Sequence, residues 1–333
     1  MKAYRRLRVA EVIAETADAC SLVLDVPPAM AADFAYRPGQ YLTVRVPRGA
    51  DGTVSRCYSL SSSPHTDEKP KITIKRVREG HASNWICDNV RAGTELEVLT
   101  PAGSFTPGSL DGDLLLLAGG SGITPMLSII KSALAHGSGH LALVYANRDA
   151  GSVIFHAELR ALAERHPDRL CVTHWLDASQ GPPTADRLGA LLSPYSGRDA
   201  YACGPEPFVA VACAALAAVG LPEERIHIER WESTVDASGA GDPVATAEVD
   251  LDGQVRRLPW PANMRLLDLL IAEGMNPPFS CRQGTCGACA CRVVSGEVEL
   301  VHNEVLEDED FAEGYTLACQ ALPRSETVIV TYS

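Results

Sequence analysis

No apolar run in these 333 residues approaches the roughly 18–20 positions that a helix needs to cross a bilayer. Membrane insertion is therefore not expected. The opening MKAYRRLRVAEVIAE carries charge with no continuous apolar stretch behind it, so no secretory signal is expected either, and the cytoplasm is the predicted location. Basic excess is missing too: 29 Lys and Arg against 42 Asp and Glu leave a net charge of −13. With no basic patch to offset that repulsion from phosphates, nucleic acid is a poor partner. Internal repeats are absent. A disulfide framework needs an oxidising compartment, which nothing here suggests. Seven of the eleven cysteines (Cys20, Cys57, Cys87, Cys171, Cys203, Cys213, Cys291) are scattered, the pattern of buried small hydrophobes in a reducing setting.

The other four are not scattered. Cys281, Cys286 and Cys289 run C-x4-C-x2-C, and Cys319 follows 30 residues later. That is the spacing of a plant-type [2Fe-2S] loop, a carrier of single electrons. Three thiolates must wrap a small cluster from one side, which calls for an irregular loop; Gly284 and Gly287 let it curl and keep side chains away from the cluster. Cys319 closes the site from a separate segment. Structural zinc also takes four Cys, but usually as two C-x2-4-C pairs. Zinc and purely structural thiols stay as alternatives, and Cys291, in C-A-C-R, is expected in the core of a following strand.

Charge is uneven. From residue 244 onward there are fourteen Asp and Glu against six Lys and Arg, a balance of −8, concentrated at Glu297, Glu299, Glu304 and the run Glu307-Asp308-Glu309-Asp310. Such a segment is either a solvated face or a surface that steers the chain toward a basic protein partner.

Length allows two or three domains, and three patterns follow one another. Residues 1–108 hold short alternating strands, punctuated by Pro27-Pro28, Pro38-Gly39, Asp51-Gly52 and Ala92-Gly93, with one helix near Ser83–Asn89; this predicts an antiparallel Greek-key barrel. Residues 109–231 alternate apolar strands with helices, predicting an α/β domain on a parallel sheet. Residues 232–243 are small, polar and turn-rich, the composition of a flexible linker. Residues 244–333 give two strands, a helix over Met264–Glu273, the Cys loop and further strands ending with Thr327–Tyr332: a β-grasp-like ferredoxin domain.

Motifs in the first two blocks sharpen this. Arg56-Cys57-Tyr58-Ser59-Leu60-Ser61-Ser62 ends a barrel strand and resembles the R-x-Y-S-x-x-S signature of the ferredoxin–NADP reductase superfamily. The resemblance implies that Arg56, Tyr58, Ser59 and Leu60 bind a flavin. A guanidinium would clamp pyrophosphate, an aromatic would pack on the isoalloxazine, and the Ser59 hydroxyl would lie near flavin N5. Ser62, where flavin-mononucleotide relatives tend to carry Asn, points to FAD. Lys75-Arg76-x-x-x-Gly80-His81-Ala82-Ser83 resembles the second phosphate-binding stretch, which adds Lys75, Gly80, Ala82 and Ser83; Ser83 is equally read as a simple helix N-cap. Trp231 stands where relatives often carry an aromatic near the flavin.

Leu114–Ala118 leads into Gly119-Gly120-Ser121-Gly122-Ile123-Thr124-Pro125 and a helix, the arrangement of a pyrophosphate cradle, so Gly119, Gly120, Gly122, Thr124 and Pro125 are nicotinamide-nucleotide candidates. Cys203-Gly204-Pro205 matches the superfamily's C-G-P motif, whose Cys lies near the nicotinamide C4; a buried structural thiol is the plainer reading. Asn147-Arg148-Asp149 follows the second strand, where the adenosine ribose is usually read. Arg148 would accept a 2′-phosphate and Asp149 would oppose one, leaving NADH favoured and NADPH possible.

Across nearly its whole length the sequence resembles the oxygenase reductases of this superfamily that end in a ferredoxin domain. Arg56–Pro64, Ala82–Asn89 and Val144–Phe155 most resemble reductases of 3-ketosteroid 9α-hydroxylases, with phenylacetyl-CoA epoxygenase reductases close by. The resemblance implies electron flow from NAD(P)H through FAD and a [2Fe-2S] cluster to a terminal oxygenase protein, with Ser59 and Cys203 at the hydride-transfer point. A redox-sensing module built on the same cofactors is the alternative from another class.

Overall fold

A computed structural model describes residues 4–49, 52–230, 242–251, 253–275 and 277–332. The first sheet is antiparallel. It contains β1 (Arg5–Thr16), β2 (Ala19–Asp25), β3 (Tyr41–Arg48), β4 (Gly52–Ser59), β5 (Lys71–Lys75) and β6 (Glu95–Val98), ordered β4-β3-β6-β1-β2-β5. Its edges meet where Leu60 bridges Ile72 and the Ser61 amide donates to the Lys71 carbonyl (2.7 Å), which closes the barrel. Leu7, Val9, Leu22, Leu42, Val44 and Ile74 fill it. Helix α1 (His81–Asn89) packs Ala82 and Ile86 into the same core. It starts two residues earlier than expected, with Gly80 at the N-cap. Ser83 is therefore not the cap: it lies in the first turn, and its hydroxyl accepts from the Val77 amide (3.1 Å).

The second sheet is parallel throughout: β7 (Leu114–Gly119), β8 (Leu141–Asn147), β9 (Leu170–Leu176), β10 (Asp199–Gly204) and β11 (Ile226–Arg230), ordered β11-β10-β7-β8-β9. Helices α2 (Ile123–His136) and α3 (His156–Arg165) cover one face. A short α4 (Asp177–Gln180) follows β9, and α5 (Ala185–Leu192) and α6 (Glu206–Ala218) cover the other face. Leu114 and Leu116 of β7 point to the first layer, Leu115 and Leu117 to the second. Burial on both faces is why this strand reads as an unbroken apolar run. Strand β11 was not anticipated from sequence.

The third sheet orders β13-β12-β18-β14-β16, using β12 (Pro243–Leu251), β13 (Gln254–Pro261), β14 (Ala290–Ser295), β16 (Tyr315–Leu317) and β18 (Thr327–Thr331); β15 (Val298–Leu300) pairs with β17 (Ala321–Pro323). The first and last strands, β12 and β18, lie side by side in parallel. Helix α7 (Leu266–Ala272) buries four leucines beside Trp260, whose indole N–H donates to the Met264 carbonyl (2.7 Å). A short helix α8 (Asp308–Ala312) forms within the acidic run. The expected linker lies, through residue 241, outside the described residues. No helix among the described residues is long and apolar enough to cross a membrane.

Candidate active site and cofactor sites

Alternation along β4 puts Arg56 and Tyr58 on one face and Ser55, Cys57 and Ser59 on the other. Tyr58 packs against the barrel core, and burial pushes its phenol above the ordinary range. Arg56 donates to the Ser55 carbonyl (2.7 Å) and lies 5.0 Å over the Phe279 ring. Its remaining donors suit a phosphate. Leu60 differs: its side chain is fully buried in the barrel and its amide is spent on the Gln40 carbonyl (2.8 Å), so no side-chain contact with a flavin is open to it.

Ser59 meets the second sheet. Its hydroxyl donates to a carboxylate oxygen of Glu229 (3.3 Å), and the Cys203 thiol donates to the same oxygen (3.5 Å). The register of β10 and β11 sets Cys203 directly beside Glu229, and both are buried. Burial first, and the neighbouring Glu229 charge second, push the Cys203 thiol well up, so it stays protonated and is no nucleophile. Glu229 is the functional candidate that sequence reasoning missed. The available signal was a glutamate in an apolar I-H-I-E strand, a placement that costs free energy unless the carboxylate is partnered.

The glycine turn divides into two roles. A Cβ on Gly122 would lie 2.0 Å from the Cys203 carbonyl oxygen, and one on Gly119 would lie 2.7 Å from the Phe208 ring. These two glycines let β7, β10 and α6 close up. Gly120 is the one held at positive φ (+53°), and it lines an open cleft of about 460 Å³ together with Lys75, Asn147, Asp177 and Pro205. Thr124 donates to the Ser121 carbonyl (3.0 Å), and Pro125 is buried in the first turn of α2. Gly204 packs against the Gly119 backbone.

Two polar groups in that cleft make no well-formed hydrogen bond within the protein. Tyr145 donates its hydroxyl proton to the Gly120 carbonyl (3.0 Å), and the buried Asn147 amide beside it is left without a well-formed hydrogen bond. The Oδ1 of Asp177 is likewise buried and unpartnered. Orphaned polar atoms in an open cleft fit a polar ligand such as a nucleotide. The sequence candidates nearby are occupied: Arg148 pairs with Asp18 (3.1 Å), and Asp149 accepts from the Ser152 amide (2.9 Å) in a capping box. Lys75 is 3.9 Å from the same Asp18. At the start of α1, a Cβ on Gly80 would come within 2.9 Å of Val77, and Ala82 and Ser83 are buried. Trp231 lies outside the described residues.

The cysteine loop folds against the barrel. Cys281 neighbours Cys286 and Cys319, and Cys319 neighbours Cys289. Among the described residues no three His, Cys, Asp or Glu side chains are arranged to hold a single metal ion. The pairwise contacts suit a dinuclear cluster, where each iron takes two thiolates. Backbone amides of Gln283 and Ala288 donate to the sulfurs of Cys281 (3.3 Å) and Cys286 (3.4 Å), which favours thiolate and fits iron ligation. Gly284 and Gly287 have φ of +76° and +74°. A Cβ on Gly284 would strike the His302 carbonyl at 2.6 Å, so its smallness serves packing inside the domain rather than clearance of a cluster. Cys291 lies in the domain core, as expected. Tyr41 of β3 hydrogen-bonds Thr285, and Tyr41, Leu99, Ala102 and Cys286 form one buried seam between barrel and loop.

Comparison with known proteins agrees with this division. Residues 6–106 match the oxidoreductase FAD-binding domain family, 116–214 the oxidoreductase NAD-binding domain family, and 249–324 the 2Fe-2S iron-sulfur cluster binding domain family. The chain is 52% identical to the ferredoxin reductase component of 3-ketosteroid-9-alpha-monooxygenase from Mycolicibacterium smegmatis, over 98% of this chain and 96% of the relative. It is 49% identical to the protein of the same description from Rhodococcus rhodochrous, with the same coverage. A 1,2-phenylacetyl-CoA epoxidase component from Escherichia coli is 33% identical over 100% of this chain and 98% of its own. Among solved structures, phthalate dioxygenase reductase aligns with a TM-score of 0.63 at 25% identity, covering 98% of each chain. With FAD, NAD and [2Fe-2S] domains in one chain and likeness along almost its whole length, the protein belongs to the family of NAD(P)H-dependent ferredoxin reductase components that supply electrons to oxygenases.

Proposed function

We propose that this reductase takes hydride from NADH and delivers single electrons to the terminal oxygenase of a 3-ketosteroid 9α-hydroxylating system. The support is the level of identity, about half of all positions to the two ketosteroid reductase components against a third to the epoxidase component. FAD supplies the change from two-electron hydride to the one-electron steps that a [2Fe-2S] cluster carries.

The chain's own residues divide the remaining work. Arg56, with Lys75 at the end of β5 and Gly80, Ala82 and Ser83 at the start of α1, binds the flavin's phosphates, and Tyr58 packs on its ring. Ser59 holds a proton close to flavin N5, and Glu229 orients both that hydroxyl and the Cys203 thiol. Cys203 acts by shape, as a neutral buried surface for the nicotinamide. Gly119, Gly120 and Pro205 border the dinucleotide cleft, and Asp177 accepts hydrogen bonds from the adenosine ribose. An anionic carboxylate there opposes a 2′-phosphate, and Arg148 is already engaged by Asp18, so NADH is the favoured donor. Cys281, Cys286, Cys289 and Cys319 hold the iron. Eleven free cysteines suit a reducing cytoplasm. The acidic segment around α8 guides encounter with a basic face of the oxygenase.

One observation carries the reading: Ser59 of the flavin signature and Cys203 of the nicotinamide motif, from different domains, share one buried carboxylate. The test is a visible spectrum of purified protein during anaerobic titration, first with NADH and then with NADPH. Flavin and iron–sulfur bands should bleach together with NADH. A flavin spectrum with no iron–sulfur absorbance after anaerobic reconstitution would sink the assignment of the four cysteines.

A further inference from the structure

Two cysteines that the electron path does not use meet on the barrel. Alternation along β2 puts Cys20 on the face of Leu22 and Leu24, which fill the barrel, and α1 brings Cys87 against the same core. Their sulfurs are 3.5 Å apart, although 67 residues separate them in the chain. Both thiols are free and half-buried, open enough for a small solute. A disulfide holds its sulfurs about 2 Å apart, so an approach of about 1.5 Å would join this pair.

Arg76 frames the contact. Its amide donates to the Asp18 carbonyl (2.8 Å), two residues before Cys20. Its guanidinium donates to Asn84 (3.3 Å) and Asp88 (2.6 Å) of α1, which lie on either side of Cys87 in the chain. The hydrogen bond from Cys20, helped by the Arg76 charge and opposed by burial, holds the Cys87 thiol below its ordinary range. Cys87 is thus the more reactive sulfur of the two, with Cys20 beside it to resolve an oxidised form. Ser83 precedes Cys87 by one helical turn on the same face of α1.

We propose that Cys20 and Cys87 are a reversible oxidation site, which hydrogen peroxide closes into a disulfide that fastens α1 to β2 and slows the loss of FAD. The effect on FAD rests on the reading above that Gly80, Ala82 and Ser83 hold its phosphates; the disulfide itself does not. The Cys87 thiolate attacks one peroxide oxygen, the O–O bond breaks, and the other oxygen leaves with a proton as water. Cys87 is then a sulfenic acid. The Cys20 sulfur attacks the Cys87 sulfur, the S–S bond forms, and the hydroxyl leaves with the Cys20 proton as a second water. Two thiols lose two electrons and two protons in all, and the peroxide gains them. A reducing dithiol reverses the bond by exchange. FAD leaves through a local opening that lifts the start of α1 from the barrel, and a bond to β2 suppresses that opening. In a reducing compartment such a bond is transient, which suits a response to oxidant rather than a scaffold.

The test treats purified FAD-loaded protein with stoichiometric hydrogen peroxide, alkylates the remaining thiols and maps the peptides by mass spectrometry. A linked Cys20–Cys87 peptide, lighter by two hydrogen atoms and absent after dithiothreitol, is expected. FAD release after dilution, followed by flavin fluorescence, should be roughly five- to tenfold slower in the oxidised protein. Cys20→Ser and Cys87→Ser should each abolish both effects of peroxide, and Arg76→Gln should slow formation of the linked peptide. Absence of that peptide from the unsubstituted protein overturns the inference, and this arm needs no variant to fold. A linked peptide with unchanged FAD release overturns it too. Linkage in protein that retains no FAD in either state would instead overturn the flavin reading beneath it.

Discussion

At the scale of single residues, the informative groups are polar atoms buried without protein partners and polar atoms buried with too many. Asp177 is of the first kind. Replacing it with Ala should raise kcat/KM for NADPH relative to NADH by about tenfold or more, since a repelled 2′-phosphate and a lost ribose hydrogen bond are each worth about 1–3 kcal/mol. Steady-state ferricyanide reduction with both donors measures that ratio, and an unchanged ratio would remove Asp177 from the ribose site. Glu229 is of the second kind, serving Ser59 and Cys203 at once. Neither was legible beforehand. Asp177 follows a strand with no motif around it, and Glu229 gains meaning only when two domains bring their hydroxyl and thiol to it. Arg148 and Asp149 did carry a recognisable position, and the fold spends them on Asp18 and on a cap.

At the scale of elements, the turn between β7 and α2 shows how packing and ligand binding share one stretch of glycines. A Gly122→Ala side chain would meet the Cys203 carbonyl at 2.0 Å, backbone that cannot swing aside. The expected cost is about 1–3 kcal/mol of stability, read as an earlier urea midpoint at unchanged slope, with weaker NADH binding because β10 carries the Cys203-Gly204-Pro205 turn. Most elements were readable because their periodicity is clean: α7 falls within the expected Met264–Glu273, and β7 on its leucine run. Strand β11 was not, because an edge strand of five residues that alternates Ile with His and Glu resembles a loop until its neighbour β10 is in place. Helix α1 began early because Gly80, not Ser83, makes the cap.

At the scale of the whole molecule, the three-part architecture followed from the order of patterns along the chain, whereas the contacts between parts could not. Lys131 of α2 bonds Asp67 of the barrel domain (2.8 Å) and Glu158 of α3 (2.9 Å). Burial works to lower its pKa, but the two carboxylates outweigh burial and hold it above the ordinary lysine value. A raised pKa contributes stability that is complete below the unfolded value of about 10.4 and disappears as pH rises through the folded one. Lys131→Met should therefore cost about 2 kcal/mol at neutral pH, less than a fully buried pair because both carboxylates keep some water. The deficit should close in strongly alkaline buffer. Paired thermal melts at neutral and alkaline pH measure it, and a deficit that persists unchanged would assign the effect to packing.

The seam between barrel and cysteine loop has a further meaning. Tyr41, Leu99, Ala102 and Cys286 are each 8% exposed or less. A conductor is defined as much by its insulation as by its metal. Water, whose dipoles must reorient around any charge that moves, is shut out at the middle of this junction. A charge crossing there would have little solvent to rearrange, so the insulation lowers the cost of the passage itself.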